Sequence, residues 1–163
     1  TGGMSDAKGM DIQTAYESAI SNLLVAMSGA NYIHDAAGLM EFDLTVSYDK
    51  LVMDNEILGM CQRVLRGIEV NDDTLATDLI IEKGPGETYI AEEHTITYMR
   101  DEFFMPALAN RHQRDMLQEN DDALARARAF VTKLRTTPTA PCLSTDITEK
   151  IKASYDELRD VNI

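Results

Sequence analysis

No tryptophan occurs among the 163 residues, and six tyrosines with four phenylalanines make up the whole aromatic complement, so the chain is light in aromatics. Cysteine is nearly absent too. Cys61 falls in a helical pattern and Cys142 in a proline-bounded loop, with no cysteine or histidine at metal spacing around either. That excludes a disulfide framework and a zinc site, and both read as free thiols of a reducing compartment. Basic side chains are scarce, 15 against 28 acidic ones, for a formal net charge of -13. Such a surface repels phosphate backbones and anionic headgroups, which argues against nucleic-acid and membrane-surface partners. No apolar run approaches membrane-spanning length and no charged-then-apolar leader opens the chain, so a cytoplasmic protein is expected. Zinc spacings, a phosphate loop, a serine-nucleophile elbow, internal repeats and low-complexity tracts are all missing.

What is present suits one globular core: 44% hydrophobic and 26% charged residues. After a loop-like opening, Asp11 precedes a helix in which Ile12, Ala15, Tyr16, Ala19, Ile20, Leu23, Leu24 and Met27 recur at three- and four-residue steps, predicting one buried apolar face that Gly29 ends. The brief apolar run Ala30 to Ile33, bounded by Gly29 and Asp35, predicts a short strand with His34 at its carboxyl end, a helical turn being the alternative that periodicity leaves open. A strand between two amphipathic helices is the mark of a β/α unit. Ser47 is a plausible cap for a long helix carrying Leu51, Ile57, Leu58, Cys61, Val64, Leu65 and Ile68, with Gly67 near its end. Asn71 or Asp72 caps a shorter helix through Leu75, Leu79 and Ile80, closed by Gly84-Pro85-Gly86. Thr88 to Arg111 reads as irregular, broken at Met105-Pro106. A helix from Asp121 uses Leu124, Ala127, Val131 and Leu134, and Ser144 or Asp146 opens a last one with Ile147, Ile151, Tyr155 and Leu158. A lone parallel-type strand needs neighbours on both sides, and few other strand candidates exist, so its neighbours are expected elsewhere.

The pattern Ser5-Asp6-Ala7-Lys8, Asp11-x-Gln13-x-x-x-Glu17, Gly29-Ala30-Asn31-x-Ile33-His34, Leu51 to Ile57, and Arg66-Gly67-Ile68 resembles the carboxyl-terminal part of the trimethylamine methyltransferase family. Gly84-Pro85-Gly86, Glu93-His94-Thr95, Arg100 and Pro106-x-Leu108-x-x-Arg111 resemble the same family's tail. The resemblance covers nearly the whole chain. It implies an α/β parent fold, a TIM (β/α)8 barrel, of which a complete copy needs about 250 residues. This chain would then be its last third: residues 1–70 the final β/α units, mostly helical with one or two short strands, and residues 71–163 a helical extension. The resemblance further implies methyl transfer from a methylated amine to cobalamin carried by a separate corrinoid protein, with no cofactor held by this chain. The trimethylamine branch carries pyrrolysine near the position where this chain begins. Either the protein belongs to the branch without it, which acts on quaternary amines such as glycine betaine, or that residue lies just upstream.

A permanent cation is held by aromatic faces and by carboxylates at a distance. Tyr32, His34 and Phe42, with Asp35 or Glu41, are the candidates, and the resemblance places His34 and Phe42 in the substrate pocket. Each has a plain alternative: a structural histidine, Tyr32 in the core, and Phe42 filling a loop. Asp6 and Lys8 are site candidates on the preceding loop, while Asp11, Gln13 and Glu17 also read as a helix cap and a solvated pair. His94 and His112 read as structural or solvent-facing. Uncovered barrel-facing helix sides lead us to expect a homo-oligomer or association with the missing segment. The competing expectation is a helical interaction module without chemistry of its own.

Overall fold

Asp11 starts the first regular element with a reciprocal cap: its carboxylate accepts from the Thr14 N–H at 3.1 Å, and its own N–H donates to the Thr14 hydroxyl at 3.4 Å. In the computed structural model, which describes residues 1–116, 121–138, 143–155 and 157, this opens α1 (Ile12–Met27), with Gly29 at φ +88° behind it. Strands β1 (Leu39–Met40) and β2 (Thr45–Val46) form a small antiparallel hairpin in which Leu39 faces Val46 and Met40 faces Thr45. Ser47 caps α2 (Tyr48–Arg66), accepting from the Lys50 N–H at 3.2 Å. There follow α3 (Asp72–Leu75), α4 (Thr77–Lys83), α5 (Glu93–Glu102), a 3₁₀ turn at Arg114–Met116, α6 (Ala123–Thr136) and α7 (Thr145–Ser154). Among the described residues the chain is thus mostly helical with one two-stranded sheet, and none of its helices is long and apolar enough to cross a membrane. It divides into two compact units, Thr1–Val131 and Thr132–Ile163.

The predicted strand at Ala30–Ile33 does not form. Among the described residues no backbone hydrogen bond reaches that run from a neighbouring segment, and a strand exists only through such a neighbour. The parallel pairing falls later: Ser5 bridges Met40 in parallel, with the Ser5 N–H donating to the Leu39 carbonyl at 3.2 Å. His34 therefore precedes the strand that forms instead of ending one.

The burial of α1 is also the reverse of the expected pattern. Ile12, Tyr16, Ile20, Leu24 and Met27 are all exposed, and the buried positions are Thr14, Ser18 and Asn22, one helical turn apart. Small polar side chains at a spacing of four form a stripe of their own. This stripe faces in because the packing partners of α1 are polar: the amino-terminal segment and the Lys50 and Asp54 side of α2. The largest completely buried side chains of the first unit are Lys50, Asn22, Asp54 and Ser18.

Further along, the helix expected after Asn71 is two helices, because Ala76 takes a left-handed conformation at φ +51° between α3 and α4. The stretch read as irregular holds α5. The Glu102 end of that helix is tied to α2 by Arg63, whose Nε donates to the Glu102 carbonyl at 2.7 Å, and by ion pairs from Arg63 and Arg66 to the Glu102 carboxylate. Glu56 on α2 accepts from the N–H groups of Leu108 and Ala109 at 2.6 and 3.0 Å, fixing the loop after Pro106. Ser144 is the residue that caps α7. Cys61 is buried, which pushes its thiol up from the usual range, and Cys142 lies outside the described residues.

Candidate functional site

Ser5 and Met40 are parallel neighbours joined through α1, so the residues after each emerge at the same end of the pair. After Ser5 come Asp6, Ala7 and Lys8; after Met40 come Glu41, Phe42, Asp43 and Leu44. The structure brings these two sets together. Lys8 Nζ lies 4.8 Å from the centroid of the Phe42 ring and donates to the Asp6 carbonyl at 2.5 Å.

Glu17, one turn and a half into α1, holds the first loop. Its Oε2 accepts from the Ser5 hydroxyl at 2.7 Å and the Asp6 N–H at 2.9 Å, and its Oε1 accepts from the Gln13 amide at 2.8 Å. The Ser5 hydroxyl, seconded by Gln13, keeps the Glu17 carboxyl below the ordinary carboxylate range. Gln13 and Glu17 are therefore a positioning pair for the loop and more than a solvated helix pair.

The second loop is strained. Glu41, Phe42 and Asp43 have φ of +52°, +55° and +66°, and Asp35 on the approach to β1 has +61°. Consecutive left-handed residues with side chains cost about 1–3 kcal/mol each and collect where function holds them. The Glu41 carboxylate accepts from the Thr45 hydroxyl at 2.6 Å and its carbonyl from the Leu44 N–H at 3.1 Å, which fastens the turn. Phe42 stays 68% exposed at its tip, an apolar face open to solvent.

Tyr32 and His34 form a separate pair, with ring centroids 6.5 Å apart and planes at 22°. The Asp35 carboxylate pairs with His34 Nδ1. Tyr32 is 81% exposed, so it is not the core residue that alternation suggested. No hydrogen bond or ring contact links this pair to Lys8 and Phe42. The segment that carries it runs beside the amino terminus: a Cβ on Gly2 would meet Ile33 Cγ2 at 3.2 Å, and one on Gly3 would meet the Ala36 carbonyl oxygen at 2.1 Å. His94 and Tyr98 lie apart on α5, where His94 Nε2 sits 2.9 Å from the Asp73 carbonyl and Asp73 accepts from the Tyr98 hydroxyl. Among the described residues no group of three or more histidine, cysteine or acidic side chains could hold a metal ion.

Beneath the loops lies a buried cluster that pattern reading missed. Lys50 Nζ donates to the Gly3 carbonyl and the Ser18 hydroxyl, each at 2.6 Å, and to Asp54 Oδ2 at 2.5 Å. The available signal was the pairing of two polar stripes, Thr14, Ser18 and Asn22 on one helix and Lys50 with Asp54 at i, i+4 on the next.

Among the described residues the chain is thus mostly helical with one two-stranded sheet, and a single parallel bridge joins Ser5 to Met40 across α1. The chain belongs to the trimethylamine methyltransferase (MTTB) family, whose sequence profile matches residues 1–160. It is 31% identical over 153 residues to the glycine betaine methyltransferase of Desulfitobacterium hafniense strain Y51, covering 93% of this chain and 32% of that protein. It is 39% identical over 99 residues to the trimethylamine methyltransferase MttB of Desulfitobacterium hafniense strain DSM 10664 / DCB-2, covering 61% of this chain and 20% of that protein. To the MttB of Methanosarcina barkeri strain Fusaro it is 39% identical over 111 residues, 68% of this chain and 22% of the relative. The chain thus spans from a fifth to a third of the length of these relatives.

Proposed function

We propose that this chain is the carboxyl-terminal part of a methyltransferase that takes a methyl group from a methylated or quaternary amine, trimethylamine-like or glycine-betaine-like, and delivers it to a corrinoid protein. Membership of a family whose named relatives are methyltransferases supports the reaction class. The observation that carries the site is the placement of Lys8 and Phe42 together, past the ends of two parallel-paired segments. In β/α barrels that end is where the chemistry sits. On this reading residues 1–70 supply the last β/α units of a (β/α)8 barrel, with Leu39–Met40 in place of the run before His34 as the strand, and residues 71–163 form a helical extension. The complete protein works in the cytoplasm.

The corrinoid, carried by the separate partner, supplies the nucleophile that accepts the methyl group. The residues here bind, orient and dehydrate the amine. The exposed Phe42 ring offers its face to the methylated cation, and that exposure lets a second protein approach the same point. Asp6 contributes negative charge, Lys8 shapes the rim, and Tyr32 and His34 line the approach from the segment before β1. A quaternary amine leaves as a neutral tertiary amine when the carbon–nitrogen bond breaks, so no side chain has to protonate it.

The test is the absorbance change of the partner's corrinoid on mixing the full-length protein, reduced corrinoid protein and a panel of methylated amines. Methyl transfer from one of them, slowed in Phe42→Ala and His34→Ala, is expected; no transfer from any amine overturns the proposal. The chain alone is expected to show no turnover.

The uncovered stripe Ile12, Tyr16, Ile20, Leu24 and Met27 favours a second reading, a helical interaction module without chemistry. A stable monomer of this chain with no affinity for amines or for corrinoid protein would support it.

A further inference from the structure

Lys50 is completely buried, and nothing in the proposed chemistry uses it. Its ammonium group has three protons and three acceptors: the Gly3 carbonyl, Ser18 Oγ and Asp54 Oδ2. The same Asp54 Oδ2 accepts from the Gly38 N–H at 2.8 Å, and Ser18 Oγ donates to the Gly3 carbonyl at 2.8 Å. Gly3 stands two residues before Ser5 and five before Lys8; Gly38 stands two residues before Met40 and four before Phe42. One ion pair on α2 thus grips the backbone of both segments that end in the candidate site.

We infer that Lys50 is a positioning residue: through the Gly3 carbonyl on one side and Asp54 with the Gly38 N–H on the other, it sets the register of the two segments and so seats Lys8 against Phe42. A buried ion pair is poorly explained by stability, since apolar pairs of similar volume commonly hold a fold as well or better. An apolar pair, however, fills space without directing a donor at one backbone and an acceptor at another. The charge on Lys50 is matched entirely inside the protein, so the link is unbroken by solvent, and the two backbones have only one short stretch of direct pairing besides. The functional meaning of this clamp rests on the proposed reading of the site; the clamp itself does not.

The test is the double variant Lys50→Met/Asp54→Asn, compared with wild type. Asparagine keeps an acceptor for the Gly38 N–H, Ser18 still serves the Gly3 carbonyl, and methionine keeps the volume, so only the link between segments is cut. Hydrogen exchange resolved by residue is expected to show at least tenfold faster exchange at Ser5, Asp6 and Ala7 with α1 and α2 unchanged. Titration with tetramethylammonium, followed on the Phe42 ring protons, is expected to give a dissociation constant at least twofold higher in the double variant. Unchanged exchange at Ser5 to Ala7 overturns the inference. Should wild type bind no tetramethylammonium, the proposed reading of the site fails, and the exchange measurement alone decides the clamp. Should the double variant not fold, wild-type exchange decides: a clamp requires Ser5, Asp6 and Gly38 to open in one event, and independent opening overturns it.

Discussion

Lys8 rests its ammonium nitrogen 4.8 Å from the centre of the Phe42 ring, although 34 positions and a whole helix separate them in sequence. The contact shows that the Phe42 face accepts a cation where the chain is already folded. A methylated ammonium would meet the ring from its open side, since Phe42 is 68% exposed beside that contact. Cation–aromatic contacts are worth about 0.5 to 2 kcal/mol as they pass from exposed to dehydrated sites. Phe42→Ala in the full-length protein should therefore weaken tetramethylammonium binding by about 2- to 30-fold by calorimetry, and Phe42→Tyr should leave it nearly unchanged. Equal weakening by both would show that the ring face is not the contact.

Glu17 makes the first loop sensitive to acid. Its folded carboxyl lies below the ordinary carboxylate range because Ser5, then Gln13, favour the ionised form. The sign follows from linkage: the contribution is complete above the unfolded value and disappears as pH falls through the folded one. Denaturation between pH 7 and pH 3 should show wild type losing stability on the acid side, and Glu17→Gln a shallower loss. Parallel curves would remove Glu17 from that role.

Gly3 has no room for a side chain. At φ +81°, with the Ala36 carbonyl oxygen 2.1 Å from where a Cβ would sit, Gly3→Ala meets both backbone strain and a backbone clash. The expected cost is more than about 2 kcal/mol in chemical denaturation. A variant as stable as wild type would contradict the packing of the 33–36 segment against the amino terminus.

The exposed stripe of α1 should make the chain associate. Tyr16, Ile20 and Leu24 are 50%, 56% and 62% exposed and lie one turn apart, a continuous apolar face without a partner among the described residues. Sedimentation should show concentration-dependent association of wild type that Ile20→Lys abolishes with the fold retained. A monomer at every concentration would count against both the homo-oligomer and a barrel-facing role for this helix.

Where the chain announces its own boundaries, reading it worked. Asp11, Ser47, Asn71 and Ser144 each carry a side-chain acceptor that reaches an N–H three residues on, a local device visible in any sequence, and all four cap the expected helices. The helix α5 escaped because its cap residue, Glu92, makes no such bond and its Thr-Ile-Thr-Tyr run looks strand-like. The burial of α1 escaped for another reason. Apolar residues are normally the buried ones, but here the neighbours of that helix are a backbone carbonyl and a lysine, and only tertiary contact reveals them. Of the candidate residues, Asp6, Lys8 and Phe42 lie together, whereas Tyr32 and His34 stand as a second pair on a segment that forms no strand.

The most direct check on the central claim uses a quaternary amine with carbon-13 methyl groups, the full-length protein and its reduced corrinoid partner, followed by nuclear magnetic resonance. The amine should lose one labelled methyl group at a rate that falls at least tenfold in Phe42→Ala. Retention of every methyl group across trimethylamine-like and betaine-like substrates, or an unchanged rate in that variant, would contradict it.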